Sequence, residues 1–478
     1  MPNHVISEQL KILDSLEVSA FRTRSDEVQL NDVFVCRQGL SLDGHDFAQH
    51  AVERGASAVV CNQPLNLTVP TIVTESYYQS LALIKAYYRH PHQSIRHIGI
   101  TGTNGKTTVS YCLNQILNQN HRSAYIGTLG AKLNEDMLPL NNTTPDGVAL
   151  LNMFKTMQSD QTEFNVMELS SHALNQDRAG FVSLEVGVIT NIGADHLDFH
   201  RTKDNYVQSK LQIVDRIQPN GTLVVNLSDP HATSALDRAS KRFKVITFST
   251  SDLAADITAT NLKPSLSGMR FLLTIGKDSH EVSSPMPFEY NVENALAIAS
   301  ILTSMGWNIK RISEAIENIS MPPGRAQFIE LSNGALGLVD YAHNSDGLNA
   351  LLKAARKKAQ QRLIVVAGVT GDRIQQAGNI GEVCAQYADL VIFTSDDPMG
   401  ALQSELFRIL SSRVGDTPTF EVNDRTEAIA LAKQLSNRGD LVVVCGKGNE
   451  KFQYMSDGKS CKRQYIGDLD ALQQEVAI

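Results

Sequence analysis

The sequence predicts an α/β protein built as three successive units, each a mostly parallel sheet with helices on its faces. Three observations carry that prediction. Short apolar runs of four to six residues alternate along the chain with helical stretches, the pattern of strands buried on both faces. One such run leads into Gly-Ile-Thr-Gly-Thr-Asn-Gly-Lys-Thr-Thr (99–108), where a glycine-rich loop opens a helix. At 478 residues the chain is too long for a single core.

The first unit, 1–97, carries strands at Val33-Phe34-Val35-Cys36 and Ala58-Val59-Val60-Cys61, with helices over 47–54 and 78–88. The Pro91-His92 break closes it. The second, 98–322, has strands at 98–101, 165–168, 186–190 and 222–226, and the glycine-rich loop is followed by a helix over 109–117. Residues 250–290 read as further strands extending this sheet, and 290–305 as a helix. The third, 323–478, starts near Pro322-Pro323-Gly324 and places strands at 337–340, 363–367, 390–394 and 441–445. Open sheets of this kind hold ligands at the carboxyl ends of their strands, where the polar clusters fall.

Composition narrows the function. The chain is 42% hydrophobic and 20% charged, with a net charge of −8 and no basic block, which argues against a nucleic-acid partner. No run of eighteen apolar residues suggests a membrane span, and the amino terminus lacks the basic-then-apolar order of a secretion signal. The six cysteines form no Cys-x-x-Cys pair and several sit in strand-like runs, so they read as reduced, buried residues of a cytoplasmic protein.

The loop Gly102-Thr103-Asn104-Gly105-Lys106-Thr107-Thr108 is suited to a nucleoside triphosphate. Its N–H groups and the following helix N-terminus attract phosphate, Lys106 reaches the terminal phosphates, and the Thr107 hydroxyl ligates Mg²⁺. Glu168, at a strand end before Leu-Ser-Ser-His, is placed to hold Mg²⁺ directly or through water. The segment 190–200 packs two aspartates, two histidines and an asparagine into eleven residues after a core strand, and reads as a site that includes His196. A lone helical lysine such as Lys210 reads by itself as a solvated charge.

Taken in order, the phosphate loop, Glu-Leu-Ser-Ser-His, Thr-Asn-Ile-Gly-Ala-Asp-His-Leu-Asp-Phe-His, Tyr-x-x-x-Lys, Gly324-Arg325 and Val-Asp-Tyr-Ala-His (339–343) resemble the Mur ligases over nearly the whole chain. Among them the type that adds the third residue of the peptidoglycan stem is most similar. The resemblance implies a central P-loop ATPase sheet between an N-terminal UDP-binding unit and a C-terminal Rossmann-like unit that reads the amino acid. It implies ATP-dependent ligation through an acyl phosphate, with UDP-MurNAc-dipeptide and a free amino acid as partners and the chain as a monomer. By resemblance His196 and Lys210 hold a second Mg²⁺, the lysine as its CO₂-derived carbamate. Asn291 and Asn294 match adenine-side residues. Arg325, Asp340 and His343 match nucleotide contacts of the third unit. Ser25 and His45 match the uridine pocket, and Thr143, Thr144, Ser170 and Arg178 the muramoyl-peptide contacts.

The departures bear on specificity. Members that add meso-diaminopimelate carry Asp-Asn-Pro-Arg, whereas this chain reads Asp396-Asp397-Pro398-Met399. Without that guanidinium a second substrate carboxylate would be buried poorly paired, which is costly. Asp396 and Asp397 favour a cationic side chain, so L-lysine is the first expectation and ornithine the second, with Glu450 anchoring the α-amino group. Gln327, Asn344-Ser345, Asn449 and Asp26 also depart from the family pattern. They motivate an alternative, a regulator that binds nucleotide or muropeptide without ligating. Folylpolyglutamate synthase shares the ATPase core, but the uridine-type residues before 97 argue against it.

Overall fold

The computed structural model describes residues 2–39, 42–239, 242–265, 268–455 and 461–474. It contains three main sheets. In the first, Phe21–Arg22, Val33–Val35, Ala58–Cys61 and Thr71–Val73 pair in that order, all parallel. Successive residues face opposite ways, so Val33, Val35 and Val60 enter one core while Phe34, Val59 and Cys61 enter another. The first core also takes Val148 and Leu151 from the helix Gly147–Ser159 of the second unit. Asn152 of that helix accepts from the Phe21 N–H (3.3 Å) and donates to its carbonyl (2.7 Å), satisfying the edge strand.

The central sheet has eleven strands. Its parallel middle runs Ile217–Asn226, Leu184–Ile189, Arg96–Thr101, Phe164–Glu168, Ser123–Gly127, so the strand that feeds the phosphate loop lies between two buried neighbours. Val166 and Met167 point into the cores on opposite faces, one covered by the helices Lys106–Leu117 and Glu289–Ser304, the other by Gly147–Ser159 and Lys203–Leu211. The β-rich stretch is the antiparallel extension Ile257–Pro264, Met269–Ile275, Asp278–Ser284, as the sequence suggests.

The third sheet orders Gln327–Glu330, Leu336–Asp340, Leu441–Cys445, Leu363–Ala367, Leu390–Thr394, Thr419–Val422, parallel except for its first strand. Several elements escape the pattern reading: the helix Pro2–Asp14, the interior strands Ser123–Gly127 and Lys244–Ser249, and the small hairpin Phe452–Tyr454 with Lys462–Gln464. Of the six free cysteines five are buried, and Cys461 is exposed instead. Among the described residues no helix is long and apolar enough to cross a membrane.

Candidate active site

The phosphate loop leaves the sheet between Thr101 and the helix Lys106–Leu117. Gly102 adopts φ +154° and Gly105 φ +87°, and each lacks room for a side chain. A Cβ on Gly102 would lie 1.9 Å from Thr190 Oγ1, and one on Gly105 2.4 Å from Asn294 Oδ1. The neighbouring strand end braces the loop. Thr190 Oγ1 donates to the Asn104 carbonyl (2.6 Å), and Asn191 Oδ1 accepts from the Asn104 N–H (2.9 Å). Thr103 meets Tyr206 through its hydroxyl at 2.9 Å. Lys106 Nζ donates to the carbonyls of Gly102 and Thr103, and burial holds its pKa below the usual lysine range.

Glu168 is fully buried at the end of the adjacent strand. Its Oε1 accepts from Tyr125 OH (2.6 Å) and the Thr128 N–H (3.0 Å), and its Oε2 from the Thr107 and Thr128 hydroxyls (both 3.0 Å). Four donors fill the carboxylate, so an ion held by Thr107 meets Glu168 by exchanging one of them or through water. The predicted muramoyl-peptide residues gather behind it. Thr144 Oγ1 donates to the Glu168 carbonyl (2.7 Å) and accepts from the Ser170 N–H (3.1 Å), and Arg178 donates to the Thr144 carbonyl (3.0 Å). Thr143 Oγ1 lies 3.4 Å from Thr128 Oγ1.

Lys210 is 1% exposed, yet its ammonium finds a single described acceptor, the Gly102 carbonyl at 2.6 Å, and sits 4.7 Å above the Tyr206 ring. Burial, with Lys106 nearby, pushes its pKa well below that of a free lysine. The solvated-charge reading of this lysine is therefore wrong. Its helix turns the side chain inward beneath the phosphate loop, a placement that helical spacing alone does not reveal.

His196 adopts φ +51° and joins a network between the second and third units. Arg373, from the third, donates through Nε to Asp195 Oδ1 (3.2 Å) and through Nη2 to His196 Nε2 (3.3 Å). Asn344 donates to Asp195 Oδ2 (3.2 Å), and His343 Nε2 lies 3.9 Å from the same oxygen. Burial raises the Asp195 pKa, but Arg373, His196 and His343 outweigh it and hold the carboxyl well below the usual range. Burial likewise pushes His343 down to about 4. Among the described residues no three His, Cys, Asp or Glu side chains are gathered into a metal cluster. Asp195 and Arg373 are site residues that sequence reasoning left without a role, although Asp195 stands inside the polar segment it singled out.

A cavity of about 470 Å³ separates the two units beside the loop. Asn104, Gly105, Thr108, Asn291, Asn294, Arg325, Asp340 and His343 all line it. Asn294 donates to Asn291 Oδ1 (2.8 Å) and Asn291 to the Pro287 carbonyl (2.7 Å), fixing both amides on the helix Glu289–Ser304. Asp340 accepts from the N–H groups of Ala326 (2.7 Å) and Ala342 (2.8 Å), and so shapes the turns that carry Arg325 and His343. Arg325 reaches the phosphate loop, its Nη2 3.2 Å from Thr107 Oγ1.

Ser25 and His45 bond within the first unit. Ser25 Oγ pairs with His50 Nδ1 (3.0 Å). His45 uses both nitrogens, Nδ1 on Asp43 (2.6 Å) and Nε2 accepting from the Asn62 N–H (3.1 Å), so in this structure both are engaged within the first unit. In the third unit Asp396, Asp397 and Glu450 do come together, but around the chain's own Lys447. That ammonium is buried 2.8 Å from Asp397, 2.8 Å from Glu450 and 3.4 Å from Asp396. The acid pair is thus partly neutralised from within, which the sequence argument for a cationic substrate did not count. A lysine between two glycines carries no pattern that would have flagged it.

Comparison with known proteins gives the family and the fold. Descriptions of the Mur ligase family catalytic domain, the Mur ligase middle domain and the Mur ligase glutamate ligase domain match residues 17–97, 100–302 and 324–448 in turn. The UDP-N-acetylmuramoyl-L-alanyl-D-glutamate–2,6-diaminopimelate ligase of Geobacillus thermodenitrificans is 33% identical over 458 residues, 92% of each chain. The chain belongs to the Mur ligase family. A solved structure of a UDP-N-acetylmuramoyl-L-alanyl-D-glutamate–2,6-diaminopimelate ligase is similar at 27% identity and a TM-score of 0.63, covering 95% of this chain and 94% of that one. MurF from Acinetobacter baumannii shares the fold at 20% identity, with a TM-score of 0.70 over 94% of this chain and 95% of the other.

Proposed function

We propose that this chain joins an amino acid, L-lysine in the first instance, to the D-Glu carboxyl of UDP-N-acetylmuramoyl-L-alanyl-D-glutamate in peptidoglycan precursor synthesis. The carboxylate attacks the γ-phosphorus of ATP and ADP leaves. The amine then attacks the acyl phosphate carbonyl, phosphate leaves with the bonding pair, and the amine gives up a proton. The observation that supports this best is the meeting, around Thr107 and Glu168, of three groups of residues. They are the phosphate loop, the Thr144–Ser170–Arg178 cluster, and Arg325 brought over from the third unit.

Lys106 and Arg325 neutralise the triphosphate, and Asn291, Asn294, Asp340 and His343 shape the nucleotide cavity. Thr107 with Glu168 would hold one Mg²⁺, and His196 with a carbamylated Lys210 a second. Bound there, Mg²⁺ supplies positive charge against the phosphate oxygens. The surroundings of Lys210 suit carbamylation. Its amine is held toward the neutral form, the form that adds CO₂ and releases a proton to give a carbamate. Thr143, Thr144, Ser170 and Arg178 would take the muramoyl peptide, with Ser25 and His45 on the uridine.

Three carboxylates against one ammonium leave the Asp396–Asp397–Glu450 cluster net negative, and Met399 offers no guanidinium for a distal carboxylate. That favours lysine, then ornithine. The diaminopimelate ligases among its relatives support meso-diaminopimelate as the second reading. We assign the uridine, ATPase and amino-acid roles to 1–97, 98–322 and 323–478, acting as one monomer. The six free cysteines support a reducing, cytoplasmic setting.

The test is phosphate release from ATP with the UDP-dipeptide across L-lysine, L-ornithine, meso-diaminopimelate and no amino acid. Release that depends on lysine supports the whole reading. Release with diaminopimelate alone keeps the ligase and overturns the Met399 argument. Silence with every amino acid, with ATP still bound, favours a non-ligating regulator.

A further inference from the structure

The loop after Leu441–Cys445, which carries Lys447 and Glu450, and the turn that carries Arg325 are pressed together. Gly448 adopts φ +55°, and a Cβ there would meet the Gly324 carbonyl at 2.8 Å and the Tyr341 ring at 3.0 Å. A Cβ on Gly324 (φ +70°) would meet the Asn449 nitrogen at 2.3 Å. Tyr341 is wedged between them and is bonded in both directions. Its hydroxyl donates to Glu450 Oε1 (2.9 Å), and the Arg325 guanidinium lies 4.3 Å from its ring centroid. Glu450 meets Lys447 through its other oxygen, Oε2. Arg325 extends to Thr107 Oγ1, which in turn donates to Glu168.

We propose that Tyr341 is a positioning residue that couples the Glu450 pocket to the phosphate loop, so that filling either site changes affinity at the other. The proposal rests on the reading of Glu450 as an anchor for the incoming amino group. An ammonium arriving at Glu450 competes with the Tyr341 hydroxyl and Lys447 for the carboxylate. The Tyr341 ring then resettles under Arg325, whose guanidinium exchanges Thr107 for the triphosphate when nucleotide is bound. The cation–π contact is one link and the hydroxyl bond the other, so each can be broken separately. Because coupling of binding is reciprocal, the same factor must be seen from both sides.

The experiment is calorimetric titration of the full chain with the non-hydrolysable ATP analogue AMPPCP and Mg²⁺, in the presence of the UDP-dipeptide. It is run with and without each of L-lysine, L-ornithine and meso-diaminopimelate. In the wild type, the amino acid that supports ligation is expected to shift AMPPCP affinity by about 5-fold or more, in the range of ordinary allosteric factors. Tyr341→Phe keeps the ring and drops the hydroxyl. It should bring that factor within about twofold of unity while leaving AMPPCP affinity without amino acid unchanged. Tyr341→Leu, which drops the ring as well, should also weaken AMPPCP alone. A wild-type factor retained in Tyr341→Phe overturns the proposal, as does a wild-type factor of unity with the amino acid bound. If the amino acid binds equally well to wild type and Glu450→Gln, the Glu450 reading itself fails, and the proposal with it. A melting curve on each variant identifies loss of folding, and the difference between the Phe and Leu variants then still decides the case.

Discussion

Replacing Lys447 by methionine tests the electrostatics of the third unit directly. The substitution keeps most of the side chain's length and removes one charge from among three carboxylates. Two of these lie 2.8 Å from Nζ and the third at 3.4 Å. Taking away one member of a buried ion cluster costs roughly 3–5 kcal/mol, because the remaining charges are left without a partner. For a unit of this size each kcal/mol lowers the melting temperature by about 2–4 °C, so a drop of ~6–20 °C is expected. The loss should also depend on pH. Burial and the neighbouring Asp396 push Asp397 up to about 6 even with Lys447 present, so this carboxyl takes up a proton on folding. Its folded pKa lies above its unfolded one, so its contribution to stability is favourable at low pH and falls as pH rises from about 4 through 6. Without Lys447 that window moves upward, and the variant should lose more stability at pH 8 than at pH 5. Adding L-lysine should restore more of the melting temperature in Lys447→Met than in wild type, since the ligand's ammonium replaces the missing one. Differential scanning calorimetry at the two pH values reads all three effects. A drop under about 2 °C, or one equal at both pH values, would refute the picture of Lys447 as the cluster's counter-ion.

Lys106→Ala should abolish ATP-dependent phosphate release, about 10³-fold or more given its place in the phosphate loop, with the fold intact by circular dichroism. Lys210→Ala should lose activity comparably, and a short carboxylate such as acetate should restore part of it. A ¹³C-bicarbonate label on the wild type should give a carbamate resonance that the variant lacks, and a wild type without that resonance overturns the assignment. The double change Arg373→Gln and Asn344→Ala removes the side-chain hydrogen bonds described between Asp195 and the third unit, so small-angle scattering of the free protein should show a wider separation of the units. Unchanged scattering would mean that the Asp195 network does not hold them. Met399→Arg should raise kcat/KM for meso-diaminopimelate relative to L-lysine by about 10-fold or more, and an unchanged ratio removes Met399 from the specificity argument.

The strands that build the catalytic sheet were legible because burial on both faces leaves a continuous apolar run, as at Val166-Met167, and because glycine and lysine mark the loop that follows. Elements without that pressure were not. Ser123–Gly127 is fully buried, but its run is short and interrupted by tyrosine and glycine. Lys244–Ser249 is half open and alternates weakly. The site was legible where chemistry is local in sequence, as in 102–108 and 190–200. It was illegible where a single residue earns its role through tertiary contact. Lys210, Arg373 and Lys447 are each lone cations in sequence. Only the fold shows that one lies under the phosphate loop, one bonds Asp195 across the interface, and one fills an acidic pocket.

Three cations, Lys447, Arg325 and Arg373, share a physical logic. Each is at least partly buried where the proposed function puts substrate or cofactor charge, and each has protein groups as interim partners. Lys447 neutralises carboxylates that an amino acid would meet, and Arg325 occupies the Thr107 hydroxyl that an ion would take. Arg373 bonds His196 Nε2, an atom a second ion would need. In the free protein such pairing lowers the cost of burying isolated charges. Each ligand then binds by exchanging one partner for another, not by entering an unpaired field. The consequence is that affinity at each subsite reflects a difference between two pairings. Removing the interim cation should therefore change selectivity between charged ligands more than it changes binding of neutral ones.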